Sequence, residues 1–358
     1  MSRIPMRVLI TAAFTLVVAA CGGDADDSST AAADVAQPAP TGTEASEPES
    51  ESAPESEPSP EPPPAVATDI VDATDQWDVQ AIGTGIKPAL ALTDDGGPAI
   101  AWLTEAIEGG VFYATEAGGW GVDTVVEGYF YGPIDLAFDP DGAPNIVYHD
   151  HQDSSFQPDK GDLTLARRGA AGWEVLSSGD PGHDGWDSAI RFGPGGELWA
   201  AGIEPIDFGT TDGVEFYEYD GATWSVSSVG GPPITYEFNV SMATGPDGQP
   251  VLSYYDDSAD QLHVATRSAA GWADEVVPGV SGGMFSSLVI DDAGTRHVSF
   301  YAATSATAGD VIYAVDDGSG WQVEQIHGLA DVVLGMTGAR RITSLQLLAD
   351  GSPVVAST

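Results

Sequence analysis

The chain has 358 residues, and its 55 Asp and Glu against 11 Lys and Arg give a formal net charge of −44. A nucleic-acid partner is not expected, because phosphate binding needs clustered basic residues and the sequence contains no such cluster. Cys21 is the single cysteine, which excludes a disulfide within the chain.

The first residues have the order of a secretory signal. Arg3 and Arg7 form a positive region, and an apolar stretch runs from Val8 to Ala20. This stretch is too short to span a bilayer as a helix, which takes about 20 apolar residues. The segment Val18-Ala19-Ala20-Cys21 resembles the lipobox of bacterial lipoproteins, a family cleaved before the cysteine and diacylated on its sulfur. The resemblance implies that residues 1–21 are a lipoprotein signal peptide ending at a lipidated Cys21.

The same resemblance implies a membrane partner and a location. Acyl chains on one residue anchor a protein stably, since each buried methylene contributes ~0.8 kcal/mol. In this family an Asp after the cysteine is a signal for the inner membrane, whereas this chain has Gly22. We expect a protein of the bacterial cell envelope that faces outside the cytoplasm, at the cell surface or the outer membrane. The alternative is an uncleaved hydrophobic segment in which Cys21 is an ordinary residue.

Residues 22–64 are predicted to be a disordered acidic tether rich in Pro, Glu and Ser. They contain eleven acids and nine prolines but no aromatic residue, Lys or Arg. Such a segment cannot bury enough apolar surface to offset its chain entropy. Like charges and proline extend it, so it would hold the rest of the chain away from the membrane.

A tryptophan that opens a β-rich run recurs along the rest of the chain. The intervals are 43, 53, 51, 48 and 49 residues, a period typical of propeller blades. A tryptophan that returns once per blade is interpreted as packing rather than as a ligand-binding stripe. The six tryptophans are Trp77, Trp120, Trp173, Trp224, Trp272 and Trp321.

Strands and tight turns repeat with the same period. In the second repeat, 134–139, 144–149, 163–167 and 173–178 read as strands, with the turn Asp139-Pro140-Asp141-Gly142 after the first. Similar turns begin near residues 94, 193, 245, 291 and 349, and Asp-Gly and Gly-Gly supply the positive backbone angles that hairpins need. Four strands per repeat and six such turns predict six blades.

The predicted fold of residues 65–358 is therefore an all-β, six-bladed β-propeller of four-stranded antiparallel blades. Two columns of mostly apolar residues along the first strands would pack blade against blade: one runs through Leu90 and Leu136, and the other through Leu92 and Phe138. Because the last repeat is incomplete, strands at 67–73 and 77–82 are expected to complete it and close the ring. The chain resembles bacterial β-propeller repeats with an aspartate-rich hairpin turn. The alternative architecture is an open pair of β-sandwich sheets.

One face of the predicted propeller carries its variable loops, and variable loops on a rigid scaffold are where binding usually occurs. Aromatic rings beside carboxylates suit a carbohydrate, a cationic peptide or a metal ion, and they suit an ordinary acidic surface equally. The candidate ligand-binding residues are Tyr129, Tyr131, Trp186 and Tyr236 in loops between blades, and His149, Asp150, His151 and Asp256 in loops after second strands.

His149 and His151 are also candidate metal ligands. Imidazole is a common metal ligand, and residues two apart in a strand point the same way. The surplus of carboxylates is separately compatible with calcium or another divalent cation. No HExxH or Cys/His spacing supports a metal, and a chance His-Asp-His is the competing interpretation.

For catalysis the sequence offers no GxSxG elbow, Walker loop or dinucleotide fingerprint. The expected function is a non-enzymatic binding or interaction module anchored at the surface and using the variable-loop face. The alternative is an extracellular polysaccharide hydrolase or lyase, with Asp150, Glu105 or Asp256 as acid or base and His149 assisting. A structural envelope protein is a third reading.

Overall fold

The computed structural model describes residues 82–104, 109–128, 130–150, 161–179, 185–204, 213–230, 240–330, 332, 342–348 and 350–357. The chain divides into two units, Met1–Gln80 and Ala81–Thr358, and every described residue belongs to the second. The predicted signal peptide with Cys21, the predicted tether and the predicted strand at Trp77 therefore lie outside the described residues. In the part that is described, no helix is long and apolar enough to cross a membrane.

All regular elements in the described ranges are β-strands, as the alternating apolar pattern and the frequent turn residues predict. In chain order they are β1 (Ile86–Leu92), β2 (Pro98–Thr104), β3 (Gly110–Thr115), β4 (Asp123–Glu127), β5 (Phe130–Phe138), β6 (Pro144–Asp150), β7 (Asp162–Gly169), β8 (Gly172–Ser177), β9 (Trp186–Phe192), β10 (Leu198–Glu204) and β11 (Gly213–Tyr219). They continue with β12 (Trp224–Gly230), β13 (Ser241–Thr244), β14 (Pro250–Asp256), β15 (Gln261–Ser268), β16 (Gly271–Val276), β17 (Met284–Ile290), β18 (Arg296–Ser305), β19 (Ala308–Asp316), β20 (Gln322–Ala330), β21 (Thr343–Leu347) and β22 (Pro353–Ser357).

These strands form four-stranded antiparallel sheets in which each strand pairs with the next along the chain. The sheets are β1-β2-β3-β4, β5-β6-β7-β8, β9-β10-β11-β12, β13-β14-β15-β16 and β17-β18-β19-β20, followed by the two-stranded sheet β21-β22. The first strand of each sheet contacts the first strand of the next sheet, from β1 through to β21. Four-stranded blades in this arrangement define a β-propeller, which confirms the predicted fold class.

The predicted number of blades is not reached among the described residues. Five sheets have four strands, and β21-β22 has two, because only two described strands follow β20. The strands predicted at 67–73 and 77–82 to complete this sheet precede the described residues except for Ile82. Five complete blades and a two-stranded sixth sheet are therefore what the structure contains.

The predicted turns between first and second strands are all present. Gly142 shows why each turn needs glycine, because its φ is +80° and this backbone conformation is unfavourable for a residue with a Cβ. The Gly142 N–H closes the turn by donating a hydrogen bond to the Asp139 carbonyl at 2.9 Å. The equivalent turn glycines have φ between 76° and 88° and are Gly96, Gly196, Gly248, Gly294 and Gly351.

The first strands are held side by side by apolar packing and by a repeated hydrogen bond. The backbone N–H of Leu288 donates to Ser241 Oγ of the preceding sheet at 3.0 Å, and that of Leu345 donates to Ser287 Oγ at 3.0 Å. Asp135 Oδ2 accepts the same bond from the Ile190 N–H at 3.1 Å. The apolar column of this register is buried in the residues Leu136, Ile190, Met242, Leu288 and Leu345.

Leu90 is the exception in this column. It is 62% exposed, and Leu92 two residues further on is 64% exposed, whereas Leu288 is 3% exposed. Leu136, Ile190, Met242 and Leu288 each lie in an apolar cluster that includes residues of the preceding sheet. The face of β1 that carries Leu90 and Leu92 has no such cover among the described residues.

Four of the six repeated tryptophans pack within and between blades, as predicted, whereas Trp77 lies outside the described residues. Trp173 meets the Tyr113 ring of the preceding blade edge-on, with centroids 5.3 Å apart. Trp272 meets Phe216 of its preceding blade in the same way at 5.1 Å. Trp224 and Trp321 likewise lie against buried apolar clusters.

Candidate functional site

The topology places the longer connections at one end of the blades, which we call the loop end. In each blade the short turn from first to second strand lies at the opposite end, because paired strands are antiparallel. The connections after second strands and between blades lie at the loop end, as predicted. They differ in length: residues 151–161 join β6 to β7, but only residues 306 and 307 join β18 to β19.

Three consecutive blades carry an acid at the same position of the loop end. Asp150, Glu204 and Asp256 are the last residues of β6, β10 and β14. Each acid pairs across the strand ladder with the first residue of the third strand of its blade. These partners are Asp162, Gly213 and Gln261. Asp150 and Asp256, predicted in loops, thus end strands, and strand register aligns the three acids.

His149 and Trp186 come together across two blades. Their rings stack with centroids 4.6 Å apart and an interplanar angle of 27°, and both side chains are buried. Trp186 was expected in a loop between blades, but it is the first residue of β9. Gly161 fits against the imidazole only because it has no side chain, since a Cβ there would lie 2.4 Å from His149 Cε1. The two residues therefore contribute to the blade interface rather than to an exposed aromatic surface.

Asp256 belongs to a buried polar group in the blade β13-β16. Its Oδ1 accepts hydrogen bonds from the N–H of Ser258 at 2.8 Å and of Ala259 at 3.2 Å, and so fixes the turn after β14. Its Oδ2 lies 3.8 Å from His263 Nε2. His263 Nδ1 is 2.7 Å from Asp274 Oδ2. Sequence reasoning identified Asp256 and missed His263 and Asp274, which only the register of β14, β15 and β16 brings together.

Asp274 is held in turn by Tyr254, whose hydroxyl donates to Asp274 Oδ1 at 2.8 Å. Burial and the nearby Asp274 charge raise the pKa of Tyr254, so its hydroxyl keeps its proton. The Tyr254 ring also stacks on His263, with centroids 5.2 Å apart. The His263 imidazole is therefore fixed in both position and orientation.

Two buried glutamates share a face of the blade β9-β12. Glu215 lies opposite Gly202 in the β10-β11 ladder, two residues from Glu204, so both side chains point to the same side. Tyr217 donates a hydrogen bond to Glu215. Glu215 carried no motif in the sequence, although the alternation of β11 places it on the same face as Tyr217.

The remaining predicted site residues are only partly described. Tyr129, His151 and Tyr236 fall in undescribed segments of the chain, and Tyr131 lies in β5, where its backbone pairs with His149. Where residues are described, no group of three or more His, Cys, Asp or Glu side chains could hold a metal ion. The metal prediction for His149 and His151 therefore stays a prediction.

The described arginines of the blades are paired with acids. Arg191 forms an ion pair with Asp135 at 3.0 Å. Arg267 makes a two-pronged contact with Glu218, at 2.7 Å for each nitrogen. The other described pairs are Arg167–Glu174, Arg168–Asp123, and Arg296 with Glu275 and Asp316. With these cations engaged, the surplus negative charge of the chain is left for solvent or a ligand.

No protein-family model matches the chain, and the comparison with curated proteins finds no match. Among solved structures the chain is similar to a Penicillium chrysogenum alpha-L-arabinanase complexed with arabinobiose. The identity is 13% over 76% of this chain and 88% of that chain, with a TM-score of 0.47.

The chain is also similar to the Aleuria aurantia lectin, a six-bladed β-propeller that recognises fucose. The identity is 12% over 68% of this chain and 80% of the lectin, with a TM-score of 0.47. A polysaccharide lyase of family PL25, an ulvan lyase, matches at 11% identity over 73% of this chain and 75% of that one, with a TM-score of 0.46. At this level of sequence identity and structural similarity, neither the ligands nor the activities of these proteins can be assigned to the chain.

Proposed function

We propose that the protein is an extracytoplasmic binding module that uses the loop end of its propeller. The observation that carries this proposal is the contrast between the two ends of the blades. One end has six similar short turns, whereas the other gathers connections of different length together with Asp150, Glu204 and Asp256. Loops that vary on a rigid scaffold are the usual place for recognition.

The charge of the molecule favours a ligand with positive groups. The formal net charge is −44, and the described arginines of the blades are engaged by acids. A cationic peptide is therefore the first candidate ligand. A carbohydrate is the second, supported by the tyrosines predicted at the loop end, Tyr129, Tyr131 and Tyr236.

Attachment to the membrane is part of the proposal. The support is the segment Val18-Ala19-Ala20-Cys21 and the acidic, proline-rich composition of residues 22–64. A lipidated Cys21 places the module outside the cytoplasm in a bacterial cell envelope, at the cell surface or the outer membrane. A Cys21→Ala variant should leave the membrane fraction once its signal has been cleaved, and one that stays there contradicts the anchor.

We also propose that the ring has six blades, with strands at 67–73 and 77–82 completing the sheet β21-β22. Two observations support it. The sheet β21-β22 has only two described strands, and Leu90 on β1 is exposed whereas the equivalent Leu136, Leu288 and Leu345 are buried. A preceding complete blade covers this position in the other repeats.

The second candidate function is polysaccharide hydrolysis or elimination. The observation that favours it is the pair of buried glutamates, Glu204 and Glu215, on one face of a blade at the loop end. Two carboxylates on one side can act as acid and base on a glycosidic bond. Glu204→Gln and Glu215→Gln variants should then lose turnover while still binding the glycan.

The deciding experiment measures binding and turnover together. The full chain in detergent is tested against a lysine-rich peptide and a glycan panel, and Asp150→Asn is compared with Asp141→Asn, a matched change at the turn end. We expect Asp150→Asn to weaken binding by about tenfold and Asp141→Asn to leave it unchanged. If neither substitution changes the affinity, the loop-end site is contradicted. If the chain releases product from a glycan, it is an enzyme rather than a binding module.

A further inference from the structure

His263 has one nitrogen whose role is determined by its neighbour. Its Nδ1 lies 2.7 Å from Asp274 Oδ2, and a carboxylate can only accept a hydrogen bond. The Nδ1 atom therefore carries the proton. In the neutral imidazole the Nε2 atom then has a free lone pair, which is the tautomer in which histidine binds a metal.

That second nitrogen is buried without a hydrogen bond. Among the residues that the structure describes, His263 Nε2 has no hydrogen-bond partner, and the residue is only 7% exposed. A buried polar atom left in this state costs free energy unless something binds it. The Nε2 lone pair is therefore the unexplained feature of this blade.

A carboxylate oxygen faces the same nitrogen. Asp256 Oδ2 lies 3.8 Å from His263 Nε2, too far for a direct hydrogen bond. Asp256 is 4% exposed, and the hydrogen bonds that Ser258 and Ala259 donate to its carboxylate all reach Oδ1. The Oδ2 atom is thus directed at the imidazole rather than at the turn that Asp256 stabilises.

We propose that His263 Nε2 and Asp256 Oδ2 bind one divalent transition-metal ion of the zinc class. Zinc lies about 2.0–2.2 Å from imidazole nitrogen and carboxylate oxygen, so an ion between atoms 3.8 Å apart subtends an angle of about 130°. A movement of a few tenths of an ångström brings this angle to the tetrahedral value. Water completes the coordination, since the described residues supply no third acidic, histidine or cysteine ligand.

The surroundings are those that metal-binding histidines require. Asp274 orients the ring through Nδ1, and Tyr254 holds Asp274, which makes the carboxylate–histidine–metal arrangement of oriented ligands. Calcium does not fit, because it takes oxygen ligands and half of this donor pair is nitrogen. The metal site shares Asp256 with the loop end proposed for ligand binding, but its test uses zinc alone and the loop-end test changes Asp150, so either proposal can fail without the other.

His297 provides a matched control within the same chain. It is equally buried, its Nε2 also lacks a hydrogen bond among the described residues, and Asp291 Oδ2 lies 3.9 Å away. Its Nδ1 contacts the Tyr313 hydroxyl at 2.6 Å instead of a carboxylate. A hydroxyl can donate or accept, so it does not hold the proton of His297 on Nδ1 as the Asp274 carboxylate does for His263. The Nε2 atom of His297 is therefore not fixed in the form that binds a metal.

The test is zinc titration of the full chain in detergent, without a histidine tag and after treatment with chelator. Calorimetry should show one saturable equivalent in the unmodified chain and none in His263→Gln. Asp256→Asn keeps an oxygen for the turn and should bind about tenfold more weakly or worse. His297→Gln should bind as the unmodified chain does.

Unfolding followed by tryptophan fluorescence shows whether each variant is folded. Zinc should raise the unfolding temperature of the unmodified chain and of His297→Gln but not of His263→Gln. The proposal is overturned by any of three results: no saturable equivalent above the His263→Gln background, equal loss in His297→Gln, or unchanged affinity in Asp256→Asn. Because Asp256→Asn preserves the turn oxygen, a folding defect in His263→Gln does not remove the test.

Discussion

Replacing Leu90 with alanine tests whether the ring is closed, and Leu288→Ala is its internal standard. Both leucines occupy the same column of the first strands. Leu288 is 3% exposed and Leu90 is 62% exposed among the described residues. In a closed six-bladed ring the completed last blade covers Leu90 as the preceding blade covers Leu288, so the two substitutions should then cost similar free energy.

A closed ring and an open ring predict measurably different losses of unfolding free energy for Leu90→Ala. Leu→Ala removes three carbon groups, worth ~2.4 kcal/mol when fully buried, and the cavity raises the total to about 2–5 kcal/mol. With 62% of Leu90 exposed, roughly two fifths of that transfer term remains, so the loss is about 1 kcal/mol or less. A closed ring therefore predicts at least about 2 kcal/mol for Leu90→Ala.

The assay is urea unfolding of the full chain in detergent, followed by tryptophan fluorescence and extrapolated linearly to water. As a control, the unfolding free energy should depend on urea concentration with the same slope in both variants as in the unmodified chain, which shows that the unfolding reaction is unchanged. If Leu288→Ala costs more than about 2 kcal/mol and Leu90→Ala about 1 kcal/mol or less, ring closure by the predicted strands is refuted.

Two further predictions concern charged residues between and within blades. Burial opposes ionisation of Asp316, but hydrogen bonds from Arg296 and from the N–H groups of Gly318 and Gly320 outweigh it and hold its pKa below the usual 3.8. This contribution to stability is present above that value and is lost as the pH falls through the lower folded pKa. Asp316→Asn should therefore destabilise the chain at neutral pH and much less in strong acid, and an equal effect at both, measured by urea unfolding, would contradict the assignment. Arg267→Lys loses the two-pronged contact with Glu218 and the stacking on Phe216 at 4.8 Å, and should cost about 1 kcal/mol. Glu174→Gln in the exposed pair with Arg167 should cost less than about 0.5 kcal/mol, and the reverse order in urea unfolding would refute this ranking.

Much of the fold was predictable because its signals are local. The strands of the second repeat are found at β5 to β8 within a few residues of their predicted bounds, since alternation and turn residues act over a few positions. The turn of Asp139 to Gly142 followed from the positive φ that glycine alone adopts freely. The packing role of Trp173 followed from its recurrence once per blade.

The candidate site was only partly predictable, because its contacts join residues that the chain separates. Asp256 was identified from its place after a second strand, but its partner His263 and the orienting Asp274 depend on the register of three strands.

The amino-acid sequence by itself determined the strand order, the turn chemistry and the gathering of variable connections at one end, because period-two alternation and glycine turns act between near neighbours. The tertiary structure alone decided that His149 and Trp186 are buried against each other and that, among the described residues, Leu288 is covered by the preceding blade and Leu90 is not. Burial of this kind depends on which blade lies beside which, and side chains in identical local patterns receive different environments from that packing.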